Sequence, residues 1–172
     1  MENLQAKRVL PASVDLLRNI SIQTFTETFS SLNSVENMAD YLASNLSAEK
    51  LIDELNTPGS EFYFAILDDK IIGYLKLNTG QAQTELKTIN SLEIERIYIL
   101  KEHQRKKAGQ FLFEKAIHIA RQKAVDFIWL GVWEENYSAI GFYLKNGFIA
   151  FDKHIFRLGD DEQTDIMMKK IL

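Results

Sequence analysis

His103 to Phe113 read HQRKKAGQFLF, and Lys101, Arg105, Lys106 and Lys107 set four cations just ahead of Ala108-Gly109 and an apolar helical run. A loop that ends a strand and enters a helix aims several backbone N–H groups at one point, where the positive end of the helix dipole also lies. A pyrophosphate fits such a cradle, and side-chain cations in the same loop add charge-assisted bonds to outer phosphates. The competing reading is that these residues only solvate a turn, the commoner fate of such runs, and the loop alone leaves the two level. No G-x-x-x-x-G-K-[ST] and no G-x-G-x-x-G follows a strand, so a P-loop and a dinucleotide fingerprint are unsupported.

A second constellation is NYSAIGFYLKNGF, Asn136 to Phe148. Asn136 can cap a helix, Gly147 can close it in the left-handed conformation, and Asn136, Ile140 and Tyr143 fall on one helical face. Tyr143 offers a phenol for proton donation, or else a core aromatic with a satisfied hydroxyl. Glu93 and Glu95 alternate with Leu92 and Ile94 in SLEIERIYIL, so both carboxylates leave the apolar face together. Either can accept a proton directly or through water. Either can instead pair with Arg96 or a nearby lysine on a solvated face. The three histidines, His103, His118 and His154, have no ligand-like spacing, and no metal site is expected.

The elements that must hold these groups follow from periodicity. A short strand is expected at Lys7 to Leu10, then three helices through the first third, with Ser34 and Ser47 as N-caps of the second and third. EFYFAIL, the Asp68-Asp69 turn and KIIGYLKLN read as a hairpin, and Thr79 to Asn90 as a loop. There follow the strand SLEIERIYIL, the helix AGQFLFEKAIHIARQKA, the strand FIWLGVW, the short helix NYSAIGFYLKN, and strands around FIAFDKHIF and TDIMMKKI. This order implies a parallel pairing inside a mixed sheet. In SLEIERIYIL, Leu92 and Ile94 share one phase and Ile97 and Ile99 the other, so the alternation slips near Glu95-Arg96. A β-bulge there restores burial on both sides and frees backbone groups for a ligand.

A chain of 172 residues, 46% hydrophobic with net charge −4, is expected to form one domain spanning 1–172 and gives nucleic acid little to bind. Cys is absent, which removes disulfides, thiolate metal sites and cysteine-linked acyl intermediates. The amino terminus lacks the apolar core of a signal peptide and no segment runs apolar for about 18 residues, so a soluble, cytoplasmic protein is expected. Oligomeric state is not readable; a homodimer is compatible.

Gln104-Arg105-Lys106-Lys107-Ala108-Gly109 resembles the Q/R-x-x-G-x-G/A acetyl-CoA loop of the GNAT acyltransferases. Asn136 with Phe142-Tyr143 and Gly147-Phe148 resembles their N…FY…GF segment. The likeness runs over most of the chain and is nearest to the bacterial PaiA-type spermidine/spermine acetyltransferases, through SLEIERIYI, IWLGVWEEN and the GDDEQTD tail. It implies an α/β GNAT-type fold: a central mixed, splayed sheet with helices on both faces. It also implies acetyl-CoA as co-substrate, with pantetheine bonded to backbone at Ile97, Tyr98 and Ile99 and the pyrophosphate at Gln104 to Gly109. Asn136 would hold the pantetheine arm or the loop near it, Lys145 would reach a phosphate or stay solvated, and Tyr143 would be the general acid. One departure stands out: Lys107 occupies the family's first loop glycine, and a positive φ there costs roughly 1 to 2 kcal/mol.

The acceptor implied is a primary amine, nearest to a polyamine, with Phe25, Phe29, Tyr41 and Trp133-Glu134-Glu135 forming an aromatic and acidic rim and Asp160-Asp161-Glu162 adding to it. The alternatives are that these aromatics are core and the acidic turn a wet hairpin. Rival functions are a protein N-terminal or lysine acetyltransferase, and a regulatory acetyl-CoA-binding module without turnover. The chain offers no basic recognition helix for DNA.

Overall fold

The computed structural model describes residues 3–172. Its elements, in order, are β1 (Leu4–Arg8), α1 (Val14–Phe29), α2 (Val35–Asn45), α3 (Ala48–Asn56), β2 (Ser60–Leu67) and β3 (Lys70–Thr79), then β4 (Ser91–Ile99), α4 (Ala108–Gln122), β5 (Phe127–Trp133), α5 (Tyr137–Lys145), β6 (Ile149–Leu158) and β7 (Asp161–Ile171). The first strand lies earlier than the expected Lys7 to Leu10, because its register is set by pairing with β2 from Leu4↔Leu67 to Arg8↔Tyr63. Ser34 and Ser47 accept from the backbone N–H of Asn37 and Lys50, so both cap their helices as expected. No helix among the described residues is long and apolar enough to cross a membrane.

The strands form one seven-stranded mixed sheet in the order β1-β2-β3-β4-β5-β7-β6, with only β4 and β5 parallel. Alternation divides its two faces. Leu75, Leu77, Leu92 and Ile94 pack beneath Ala108, Leu112, Phe113 and Ala116 of α4, whereas Phe62, Phe64 and Tyr74 pack against Leu17, Ile20 and Phe25 of α1 and Leu51 of α3. Helices therefore cover both faces, as the resemblance implied.

Two irregularities in β4 open the middle of this sheet. Lys76 pairs with Arg96 but Leu77 with Ile94, which leaves Glu95 as the extra residue of a bulge. The bulge returns Ile97 and Ile99 to the α4 face occupied by Leu92 and Ile94, as the slipped alternation required. On its other side β4 pairs with β5 only from Ser91↔Phe127 to Glu93↔Trp129. Past Glu93 the two strands part, and the β5-facing backbone groups of Ile94 to Ile99 leave the ladder.

A buried ion-pair network braces the bulge. Arg96 donates to both carboxylate oxygens of Glu54 on α3, at 2.9 and 3.0 Å, and lies 3.3 Å from Glu95. Lys76, 5% exposed, pairs with both Glu54 and Glu95. A lysine in KIIGYLKLN would be read as solvated; here two cations and two carboxylates balance where an unpaired charge would be costly. Burial works to raise the Glu95 carboxyl, but Arg96 and Lys76 outweigh it and hold the group below its ordinary value of 4.5. A carboxyl with a depressed folded value stabilises the fold fully above the unfolded value, and that contribution is lost as pH falls through the folded one. Glu95→Gln is thus expected to lower stability at pH 7 by about 3 kcal/mol and to flatten the loss of stability below pH 4.5, measured by urea unfolding between pH 7 and 3.

Candidate functional site

The parted strands open into a cleft of about 780 Å³ that runs between β4 and β5 and reaches α1, α2, α5, β6 and β7. Of the residues singled out from sequence, it is lined by Glu93, Glu95, Ile97, Tyr98, Ile99, Gln104, Asn136 and Tyr143. Arg105, Lys106, Lys107, Ala108 and Gly109 continue from its end at Gln104 but do not line it, and Lys145 is exposed in the last turn of α5, outside it.

At the mouth of α4, Arg105 and Lys107 both adopt left-handed backbone, φ 59° and 64°. Among the described residues none of the amides from Arg105 to Gly109 donates to another protein group. Gln104 anchors the start of this loop by donating to the Ile99 carbonyl at 3.1 Å. Lys107 is the N-cap position of α4 and its side chain is exposed, so the left-handed cost is accepted without blocking the amides. The result is a run of backbone N–H groups with no protein acceptor among the described residues, at a helix start flanked by exposed cations.

On α5, Asn136 caps the helix by accepting from the Ala139 N–H at 3.1 Å, and Gly147 ends it with φ 88°. Tyr143 is a core aromatic, but not one with a satisfied hydroxyl. Its ring is 8% exposed and packs on Phe142 and Phe148 at 5.4 and 5.6 Å, while its hydroxyl bonds no protein group among the described residues and the residue lines the cleft. Burial pushes the phenol above its ordinary value, which keeps it protonated and available as a donor.

Glu93 and Glu95 do share one face, since both accept from Asn78 Nδ2, at 3.0 and 2.6 Å, but that face is not solvated. Glu93 is 4% exposed and also accepts from the Thr84 N–H at 2.8 Å and the Thr84 hydroxyl. Burial raises its carboxyl, against the bonds from Thr84 and Asn78. Pairing with a lysine and Arg96 holds for Glu95 alone.

The expected aromatic rim is partly present. Phe25, Phe29, Tyr41, Trp133 and Glu135 line the cleft, with Phe25 stacked on Tyr41 at 4.3 Å and 6°. Glu134 does not line it, and neither does the Asp160-Asp161-Glu162 turn, where Asp160 accepts from Asn37 on α2. Sequence reasoning missed Thr84 and Glu85, in what read as an undifferentiated loop, and His154, Gln163 and Asp165, which only strand pairing brings to the cleft. Gly131 in the middle of FIWLGVW was the available signal, because glycine inside a strand marks a close approach. Among the described residues no group of three His, Asp or Glu side chains is arranged to hold a metal ion.

The splayed mixed sheet, the bulged β4 and the cleft at the parting form an acyltransferase-type architecture. The acetyltransferase (GNAT) family matches residues 17–148, and the chain belongs to that family: it is an N-acetyltransferase with acetyl-CoA as acyl donor. It is 46% identical over 153 residues to an uncharacterized N-acetyltransferase in the pepI 3′ region of Lactobacillus delbrueckii subsp. lactis, covering 89% of this chain and 88% of that one. It is 25% identical to the spermidine N(1)-acetyltransferase of Thermoplasma acidophilum over 173 residues, 98% of this chain and 97% of that one. The crystal structure of the PaiA N-acetyltransferase of the same organism, in complex with coenzyme A, superposes with a TM-score of 0.81 at 24% identity over 99% of both chains.

Because Lys107 carries positive φ, Lys107→Gly is expected to relieve up to about 1 kcal/mol, raising the thermal midpoint by about 2 °C; a fall in the midpoint, measured by calorimetry, would show that the lysine side chain contributes more than its backbone costs.

Proposed function

We propose that the chain transfers an acetyl group from acetyl-CoA to a primary amine of a polyamine, in one direct step within a ternary complex. The observation that carries the acceptor is charge. Glu85, Glu93, Glu95, Glu135 and Asp165 line the cleft against Arg96 and His154, beside the wall of Phe25, Phe29 and Tyr41. An acid-rich, aromatic cleft favours a cationic amine over an anionic or neutral acceptor. The spermidine-specific name of the Thermoplasma relative supports the same class.

Donor binding follows from the free backbone. The amides of Arg105 to Gly109 would take the pyrophosphate, with Arg105, Lys106 and Lys107 compensating outer charge, and the groups released at Ile97, Tyr98 and Ile99 would take the pantetheine amides as an extra strand. Asn136 keeps its side-chain N–H groups free for the arm after capping α5 with its oxygen. Lys145, exposed on α5, would reach only an outer phosphate.

The reaction has two proton problems. An alkylammonium of ordinary pKa about 10.4 must lose a proton before attack, at a cost of about 4 to 5 kcal/mol at neutral pH, and the departing thiolate gains from a donor. Tyr143 is that donor in this reading, its hydroxyl unpaired and kept protonated by burial. Glu93 and Glu95 are engaged with Thr84, Asn78, Lys76 and Arg96, so they shape the bulge, with the charge of Glu95 offset by its two cations. With no Cys in the chain, direct transfer is simpler than an acyl-enzyme.

Free-thiol release from acetyl-CoA should be at least tenfold more efficient with spermidine or spermine than with amino acids or peptides, and a peptide winner would transfer the reading to a protein acetyltransferase. Tyr143→Phe should lower kcat by about 10²-fold or more while the KM for acetyl-CoA moves less than about threefold; an unchanged kcat removes Tyr143 from the chemistry.

A further inference from the structure

One wall of the cleft enters the reading above only through its charge. Gly131 lies two residues beyond Trp129, the last β5 residue paired with β4, and offers bare backbone at the fork. His154 on β6 lies over it: a Cβ at position 131 would stand 2.7 Å from the imidazole Cε1 and 3.4 Å from Nε2. Asp165, directly across the β6–β7 ladder, has Oδ2 3.4 Å from Nε2, and Glu85, in the loop after β3, has Oε1 3.6 Å from Nδ1. Nδ1 is sealed and without a hydrogen-bond partner, and His154 lines the cleft. Gln163, 8% exposed and on the same face of β7 as Asp165, also lines the cleft with its Oε1 buried and unpartnered.

The geometry points to His154 Nε2 as the proton acceptor for the acceptor ammonium, with Glu85 orienting the ring through Nδ1 and Asp165 seating the cation beside Nε2. This rests on the acyl-transfer reading above and does not depend on the amine being a polyamine. Imidazole is the side chain whose ordinary range lets it take and return a proton near neutral pH. A carboxylate on the far ring nitrogen fixes the tautomer and steadies the imidazolium that forms, and such bonds commonly tighten only when substrate is bound. The groups facing His154 are Asp165 from β7 and Glu85 from the loop after β3; Glu93 from β4 and Glu135 after β5 line the same cleft. Burial raises the Asp165 carboxyl, and the charge and hydrogen-bonding of His154 oppose that rise, so Nε2 is free to take a proton once the acceptor's ammonium occupies Asp165. Glu93 and Glu95, by contrast, have their oxygens already committed to protein donors.

The protons balance. The ammonium gives one proton to Nε2 and becomes a neutral amine; its nitrogen bonds the thioester carbonyl carbon as the carbon–sulfur bond breaks. The thiolate takes the Tyr143 proton, the surplus proton on the new amide nitrogen returns to the phenolate, and His154 releases its proton to solvent. One amide, one thiol and one proton result.

The test follows acetyl-CoA thiol release from pH 6.5 to 10 with spermidine, and with n-butylamine as a monoamine, for the wild type and His154→Gln. At pH 7 the variant should lose at least thirtyfold in kcat/KM for the amine with the acetyl-CoA KM unchanged. The two enzymes should then converge toward pH 10, where the amine sheds its proton unaided. Glu85→Gln, on an exposed loop, should show a smaller loss, about threefold to tenfold, with the same convergence, and it keeps the test open if the first variant folds poorly. A ratio constant across pH, or wild-type rates at pH 7, would overturn the proposal. A wild type that prefers butylamine to spermidine would remove the polyamine reading alone, and the butylamine profiles would still judge His154.

Discussion

Past Glu93, β4 can no longer bond to β5, and the rest of the molecule is arranged around that parting. The inserted residue Glu95 shifts the strand's register on its β3 side while the β5 side opens. An unpaired backbone edge in the centre of a sheet is costly unless something occupies it or braces its neighbours. The bracing is the four-membered network of Glu54, Lys76, Glu95 and Arg96, which ties the bulge to α3 across the sheet face. Replaced by apolar residues, such a network often loses nothing in stability. Its value here is positional, since it fixes where β4 turns away and hence where released amides and carbonyls face.

The same parting separates two opposite electrostatic environments. On one side the α4 mouth carries exposed cations around free N–H groups; on the other, carboxylates and aromatic rings line the cleft. An anionic donor and the cationic acceptor proposed here would thereby be attracted to different ends of one passage, and a net charge of −4 conceals both fields. Tyr143 from α5 and His154 from β6 reach the same cleft from separate elements. Acid and base functions held on different elements can keep different environments, which transfer of two protons at one centre requires.

Much of this was legible in the residues. The slipped alternation of Leu92, Ile94, Ile97 and Ile99 placed the bulge near Glu95-Arg96, and the structure puts it at Glu95, because burial on a single face leaves no distant register. The caps at Ser34, Ser47 and Asn136 were legible because N-cap bonds are local. The acidic turn at Asp160 to Glu162 was open between cleft rim and wet hairpin, since charge alone says nothing of which end of a hairpin meets a cleft, and it is the wet hairpin. Lys76, His154 and Asp165 were illegible for a related reason: their partners lie on strands far away in sequence.

What the chain determined by itself was therefore everything that depends on near neighbours: the elements, their faces, the bulge, the cationic loop and the phenol-bearing helix. Tertiary structure alone decided that β4 and β5 part after Glu93, that Lys76 is buried and Arg96 half-buried beneath the bulge, and that an imidazole rests on a bare glycine at the fork. Local patterns report whether a side chain is buried or exposed, but its partners are set by register and strand order, which are properties of the assembled sheet.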